Sequence, residues 1–431
     1  MKAWRVGGAV RDALLGRPGS DVDWVVTGTT PEAMRAAGYL PVGRDFPVFL
    51  HPVTKQEYAL ARTERKTAPG YHGFVFHADP AVTLEEDLQR RDLTINAMAQ
   101  DETGRVIDPY GGQRDLQARL LRHVSPAFAE DPVRILRVAR FAARFVDFQV
   151  AAETQALMQH MVTAGEVDAL VAERVWQELS RGLMEAQPSR MFDVLHDCGA
   201  LARLMPEIAT DWASDEPDAI RWRQTIDLAA RRELPLPARF AVVTHRLGAS
   251  ERAVQTGATA VDLLTLCARW RIPADCREVA ELAGRECETL RLDALLDAEQ
   301  RVRLLDRCDA WRRPERFELL LLACECVRRS DDASDDASDD EKDDASDGAR
   351  TARAQATSLA SWRLARTRAA AVNTGTVAAR AAAQGLRGPQ IGAAVHDARV
   401  RAVTVVEAVV GAVAASVAVE REVSRNDEVN D

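Results

Sequence analysis

Lysine is nearly absent: of 431 residues only Lys2, Lys55, Lys66 and Lys342 carry an amine side chain, so almost all positive charge is arginine. Codon bias is the simplest cause, yet the result is a set of planar cations suited to bidentate contacts with phosphates and base edges. Cysteine is missing before Cys198, and the seven present (Cys198, Cys267, Cys276, Cys287, Cys308, Cys324, Cys326) include no C-x-x-C pair. That argues against zinc and for buried, reduced thiols. No apolar run reaches the roughly eighteen residues that a bilayer span needs. The opening MKAWRVGGAVRD has charges in its first turns and no apolar signal core. A soluble cytoplasmic protein with no membrane partner is expected.

The net charge of −10 looks unfavourable for a nucleic-acid partner until its distribution is read. Ten acids and one lysine between Asp331 and Asp347 carry −9 of it. The rest is nearly neutral and leaves room for a local basic groove. Within that stretch DDAS occurs three times with almost no apolar content, so it reads as a disordered linker.

The chemistry concentrates at the amino terminus. An apolar strand from Ala3 to Val6 ends at Gly7 and Gly8, a helix carrying Arg11 follows, and the next strand brings Asp21 and Asp23. Residues two apart on a strand point the same way, so both carboxylates can grip one cation or a pair of them. Glycine lets backbone approach a ligand closely, and a helix start with an arginine suits a triphosphate. Hard Mg²⁺ prefers oxygen ligands and keeps substrate phosphates in its shell. Each feature alone has a bland reading, an ordinary tight turn or a solvated strand edge; their combination within about twenty residues reads as phosphoryl transfer.

Short β-rich runs (Asp23 to Thr27, Val48 to His51, Tyr58 to Thr63, Gly73 to His77, Arg105 to Ile107) alternate with helical segments over the first 120 residues, and helical periodicity dominates from about Pro132 onward. The fold class is α+β. In QRRDLTINAMAQ, Asp92 stands before an apolar helical run and either caps it or contacts substrate. In EDPVRILRVARFAAR, Arg134, Arg137, Arg140 and Arg144 share one arc of a helix with Asp131 a turn earlier; a solvated face with an ordinary ion pair is the alternative.

GGAVRD, DVDW, RRDLTINAMA, DPYGG and EDPVRILRVARFAARF, in this order, resemble the class II tRNA nucleotidyltransferases, the bacterial CCA-adding enzymes, densely from Met1 to about Ala200. The resemblance implies a polymerase-β-like mixed-sheet head over 1–120 and a helical neck with base recognition over 121–200. Beyond these, the expected divisions are a helical body over 201–329, the acidic linker over 330–350, a helical tail over 351–423 and a frayed end over 424–431. It implies addition of the 3′-terminal CCA of tRNA from CTP and ATP, with Asp21 and Asp23 as catalytic Mg²⁺ ligands. Gly8, Arg11, Arg91 and Asp92 would meet the nucleotide, Asp131 and Arg134 its base edge, and Arg137 and Arg140 its triphosphate. Asn96, Glu173 and Arg174 are expected to be structural, and Glu57 either a third acid or a surface residue.

Two rivals stand beside this: a bacterial poly(A) polymerase, which shares the head, and an inactive RNA-binding relative. Many similar enzymes carry an HD phosphohydrolase domain; here the corresponding stretch reads His245-Arg246, so that activity is expected to be absent. Monomer and homodimer both remain open.

Overall fold

The computed structural model describes residues 1–17, 22–42, 48–66, 74–77, 79–247, 260–291, 296–335 and 359–404. Contacts divide the chain into two units, Met1–Arg231 with Leu264–Ile272, and Arg232–Leu263 with Pro273–Asp431.

The first unit is built on a seven-stranded sheet. Its strands are β1 (Lys2–Val6), β2 (Asp23–Thr27), β3 (Leu40–Val42), β4 (Val48–Leu50), β5 (Glu57–Leu60), β8 (Ala99–Gln100) and β9 (Val106–Ile107), in the order β3-β4-β5-β2-β1-β8-β9. Only β2 and β5 run parallel; every other pairing is antiparallel. The apolar run in β2 follows from burial on both faces. Val25 packs with Val6, Leu88 and Ala99 on one side, and Val26 with Met34, Phe49 and Leu60 on the other. β6 (Thr63–Lys66) and β7 (Phe74–His77) form a separate hairpin, and β10 (Leu120–Leu121) pairs in parallel with β11 (Gln149–Val150).

The helices of this unit that matter for the site are α1 (Gly8–Leu14), α2 (Pro31–Ala36), α3 (Leu84–Gln89), α4 (Gly112–Ala118), α5 (Val133–Arg144), α6 (Ala152–Thr163), α7 (Ala172–Leu183) and α8 (Ser189–Asp197). The expected helix after Asp92 is instead a 3₁₀ turn, Thr94–Asn96, leading into β8. Leu93, Ile95 and Met98 are all fully buried, and the Thr94 N–H donates to the Arg122 carbonyl. The segment threads the core rather than lying on it, so a helix with one wet face has no place there. Gly112 opens α4 because a β-carbon would fall 2.3 Å from the Thr94 carbonyl oxygen, and Asp108 caps that helix through the Gly112 and Gln113 N–H groups at 2.6 and 2.9 Å.

α5 is the spine of the neck. It packs against α7 and α8, buries Ile135, Leu136, Val138, Ala139, Ala142 and Ala143, and ends where Arg190 donates to the carbonyls of Phe145 and Phe148.

The second unit is helical. Helices Leu236–Thr244, Ala274–Arg291 and Pro314–Asp335 pack on one another. A disulfide between Cys287 and Cys324 ties the last two, which corrects the expectation that all seven thiols are reduced. The partners lie 37 residues apart on separate helices whose packing brings their Cα atoms to 5.2 Å, a proximity that sequence spacing does not reveal. The other five cysteines form no disulfide and are buried. Burial pushes the Cys198 thiol up to about 11 and the Cys308 thiol up to about 12, so they are inert. Helix Pro314–Asp335 carries Asp331–Asp335 of the acidic stretch; residues 336–358 lie outside the described residues, as does the terminus from 405. Helix Thr374–Ala383 and a helix over 389–404 flank the GLRGPQIG turn.

Candidate active site

Between the sheet and α5 lies a cleft of about 790 Å³. Its floor starts at the end of β1, where Gly7 adopts a positive φ of 68° and hands over to α1. A β-carbon at Gly7 would meet Arg91 Nη1 at 2.8 Å, so the glycine is what lets the Arg91 guanidinium close over the turn. α1 is only seven residues long. The donors this corner offers are therefore the turn and Arg11 more than a helix dipole. β2 pairs with β1, Val6 opposite Asp23, which sets exposed Asp23 at the cleft beside Gly7 and Gly8.

Of the residues expected at the site, Gly8, Arg11, Asp23, Arg91, Asp92, Asp131, Arg134, Arg137 and Arg140 all line this one cleft. Asp21 lies outside the described residues, as do most residues of the loop after β6. Glu57 opens β5 in an exposed position; it precedes Tyr58, whose partner Trp24 follows Asp23, so the two acids head neighbouring strands. Glu57 is not among the residues lining the cleft.

Among the described residues the wall is strongly cationic, with ten arginines against the four carboxylates Asp23, Asp92, Asp131 and Glu178. A surplus of this size, at least partly out of water, suits a polyanion. Most of these arginines have a side-chain partner. Arg11, 3% exposed, donates through Nε to Asp12 at 2.8 Å and through Nη1 to Asn96 Oδ1 at 2.5 Å. Desolvation lowers its pKa, yet guanidinium stays charged at any physiological pH. Asn96 passes the connection on, donating from Nδ2 to Asp92 at 3.0 Å. Asp92 accepts Arg137 through Nη2 at 2.6 Å and Nε at 2.8 Å. Burial by itself would raise the Asp92 pKa, but Arg137 and the donors Asn96 and Leu93 N–H hold it far below the usual carboxylate range. Asp92 in turn raises the pKa of Arg137.

Arg140 donates to Glu178 at 2.6 Å and lies 3.5 Å from Glu185. Phe141 lies beneath this group, with the guanidinium carbons of Arg11, Arg137 and Arg140 at 5.4, 6.0 and 4.6 Å from its centroid. The Asp131 carboxylate receives both terminal nitrogens of Arg174, at 3.0 and 2.7 Å, and Arg134 donates to the carbonyls of Ala127 and Arg90 at 2.9 and 2.6 Å.

Three contributors escaped the sequence reading. Asp87, fully buried, anchors Arg90 at 2.8 Å and Arg91 at 3.3 Å; its spacing of three and four residues from them was a usable signal. Asn96, expected to be structural, is the bridge between Arg11 and Asp92. Arg174, expected to brace the neck, does so by gripping Asp131 within the cleft itself.

Asp23 is an exposed hard oxygen donor in the lining of the cleft, and as such fits a divalent cation that also takes phosphate oxygens. Among the described residues no group of three or more His, Cys, Asp or Glu side chains could hold a metal. A cation here would depend on Asp23, a neighbouring acid and the substrate itself.

The chain matches the family model described as "Poly A polymerase head domain" over residues 3–122 and the model "Probable RNA and SrmB- binding site of polymerase A" over 147–211. It is 55% identical to a multifunctional CCA protein of Leptothrix cholodnii, over 94% of this chain and 96% of that one. It is 51% identical to a multifunctional CCA protein of Variovorax paradoxus, over 94% and 99%. Among solved structures it resembles the Bacillus stearothermophilus CCA-adding enzyme in complex with CTP, with a TM-score of 0.61 and 25% identity over 94% of this chain and 89% of that one. No helix of the described residues is long and apolar enough to cross a membrane. More than half identical to such relatives along almost their whole length, with the glycine turn, the acid and the arginine helix converging on one cleft, the chain belongs to the family of multifunctional CCA proteins.

Proposed function

We propose that this protein adds and repairs the 3′-terminal CCA of tRNA in the cytoplasm. The observation that carries the reading is the cleft that Asp23 lines together with ten arginines. The 3′-hydroxyl of the tRNA attacks the α-phosphate of CTP, twice, and then of ATP; a phosphodiester forms, the α–β anhydride bond breaks, and pyrophosphate leaves each time. The hydroxyl's proton passes to solvent. Asp21 and Asp23 would hold Mg²⁺, which supplies a lowered hydroxyl pKa and neutralises the leaving group.

The chain's own groups do the rest. Gly8 and Arg11 receive the phosphates at the turn, Arg91 and Asp92 position the sugar and phosphates, and Arg137 and Arg140 hold the triphosphate from the neck. Asp131 and Arg134 read the base edge. A carboxylate only accepts and guanidinium only donates, so together they fit an amino group beside a ring-nitrogen acceptor, as in cytosine and adenine. Uracil and guanine would leave a polar group unpaired, at about 1–3 kcal/mol each. The bidentate grip of Arg174 on Asp131 and the carbonyl ties of Arg134 support this by fixing both planes before substrate arrives.

Incubation with tRNA lacking its CCA end and labelled CTP and ATP, separately and together, tests the proposal. Addition of three residues is expected. A long adenosine tract would instead indicate a poly(A) polymerase, and no incorporation an inactive RNA-binding relative.

A further inference from the structure

Asp12 is 1% exposed and sits on α1, directly after the arginine assigned to the phosphates. Its two oxygens are divided between two elements. Oδ1 accepts Arg11 Nε at 2.8 Å, and Oδ2 accepts Arg144 Nη2 at 3.1 Å from the last turn of α5, 132 residues away. One buried carboxylate thus joins the sheet that carries Asp23 to the helix that carries Arg137 and Arg140. Phe145 reinforces the junction: the guanidinium carbons of Arg11 and Arg144 lie 5.1 and 5.5 Å from its centroid. Arg11 is held from its other side by Asn96.

We propose that Asp12 and Arg144 are positioning residues forming a latch between head and neck, which sets the separation between Asp23, assigned above to the cation, and the arginines assigned to the triphosphate. This rests on the assignment of Arg11, Arg137 and Arg140 to the triphosphate. Nucleotide can bind to the arginines of α5 with the latch broken. In-line attack needs the triphosphate held in a fixed position relative to the Asp23 edge of the cleft, and a displacement of about 1 Å can slow chemistry by about 100-fold.

The test is steady-state kinetics of CMP addition with the full chain. Arg144→Gln leaves the Asp12 to Arg11 bond in place and is expected to lower kcat by about 10-fold or more, with KM for CTP within about 2-fold and the melting temperature within a few degrees. Arg144→Lys, whose ammonium still reaches Asp12, is expected to recover much of the rate. Asp12→Asn with Arg144→Gln should be no slower than Asp12→Asn alone, because both break one contact. Wild-type kcat in Arg144→Gln, or equal losses in the Gln and Lys variants, would overturn the latch. Arg11→Lys separates the two levels: a raised KM there, with a normal Arg144→Gln, rejects the latch alone, whereas wild-type KM rejects the phosphate assignment and the latch with it.

Discussion

Asp92 and Arg137, 45 residues apart in sequence, meet through two nitrogens of one guanidinium at 2.6 and 2.8 Å. Asp92 is 6% exposed, whereas the Arg137 side chain keeps about a third of its surface. Removing the acid strands a cation on the neck wall and removes the acceptor of Asn96. Asp92→Ala is therefore expected to destabilise the first unit by about 2–3 kcal/mol, toward the low end for a buried pair because Arg137 retains water, and to raise KM for both nucleotides. Denaturant melts and initial rates measure the two effects.

The same pair sets the behaviour in acid. The folded-state pKa of Asp92 is depressed, and that of Asp87 is too, so the stability each contributes is fully present above its unfolded value near 4. It is lost as pH falls through the folded value. Stability should be flat from neutral down to about pH 5 and fall steeply below 4. In Asp92→Asn the fall should be shallower, and a titration with the wild-type slope would contradict the assignment.

Asp23 is exposed at the start of β2, so Asp23→Ala should abolish incorporation and leave the unfolding free energy within about 0.5 kcal/mol of wild type. Retained turnover would take it out of the catalytic centre.

Gly112→Ala probes the core rather than the chemistry. Its β-carbon would overlap the Thr94 carbonyl and crowd Met98, and an expected loss of about 3 kcal/mol should appear as a lowered melting midpoint. The clash lies next to the 3₁₀ turn that ends at Asn96, so nucleotide KM should rise with it.

A phosphohydrolase activity is not expected. Arg246 follows His245, and His245 Nδ1 is 2.8 Å from the Val242 carbonyl; an arginine in the place of an acidic ligand repels a cation. Hydrolysis of a 2′,3′-cyclic phosphate in the presence of Ni²⁺ or Mg²⁺ would refute this.

Local chemistry was readable from the chain, and long-range closure was not. The β1 to β2 corner could be read directly because its turn glycines, Arg11 and Asp23 fall within about twenty residues. The arc of arginines on α5 was equally plain from helical spacing. What each arginine holds was hidden, since Asp92, Asp131 and Glu178 reach their partners across 38 to 45 residues. The 3₁₀ turn at Thr94 was missed because a segment buried on every side has no wet face to betray its period. The Cys287 to Cys324 bond was missed for a similar reason: only helix packing makes the two neighbours.

Among the described residues that line the cleft there is no lysine. Acyl donors that cap primary amines therefore find none of these lining groups to modify, and a heavily acetylated molecule is expected to bind CTP and ATP as the untreated one does.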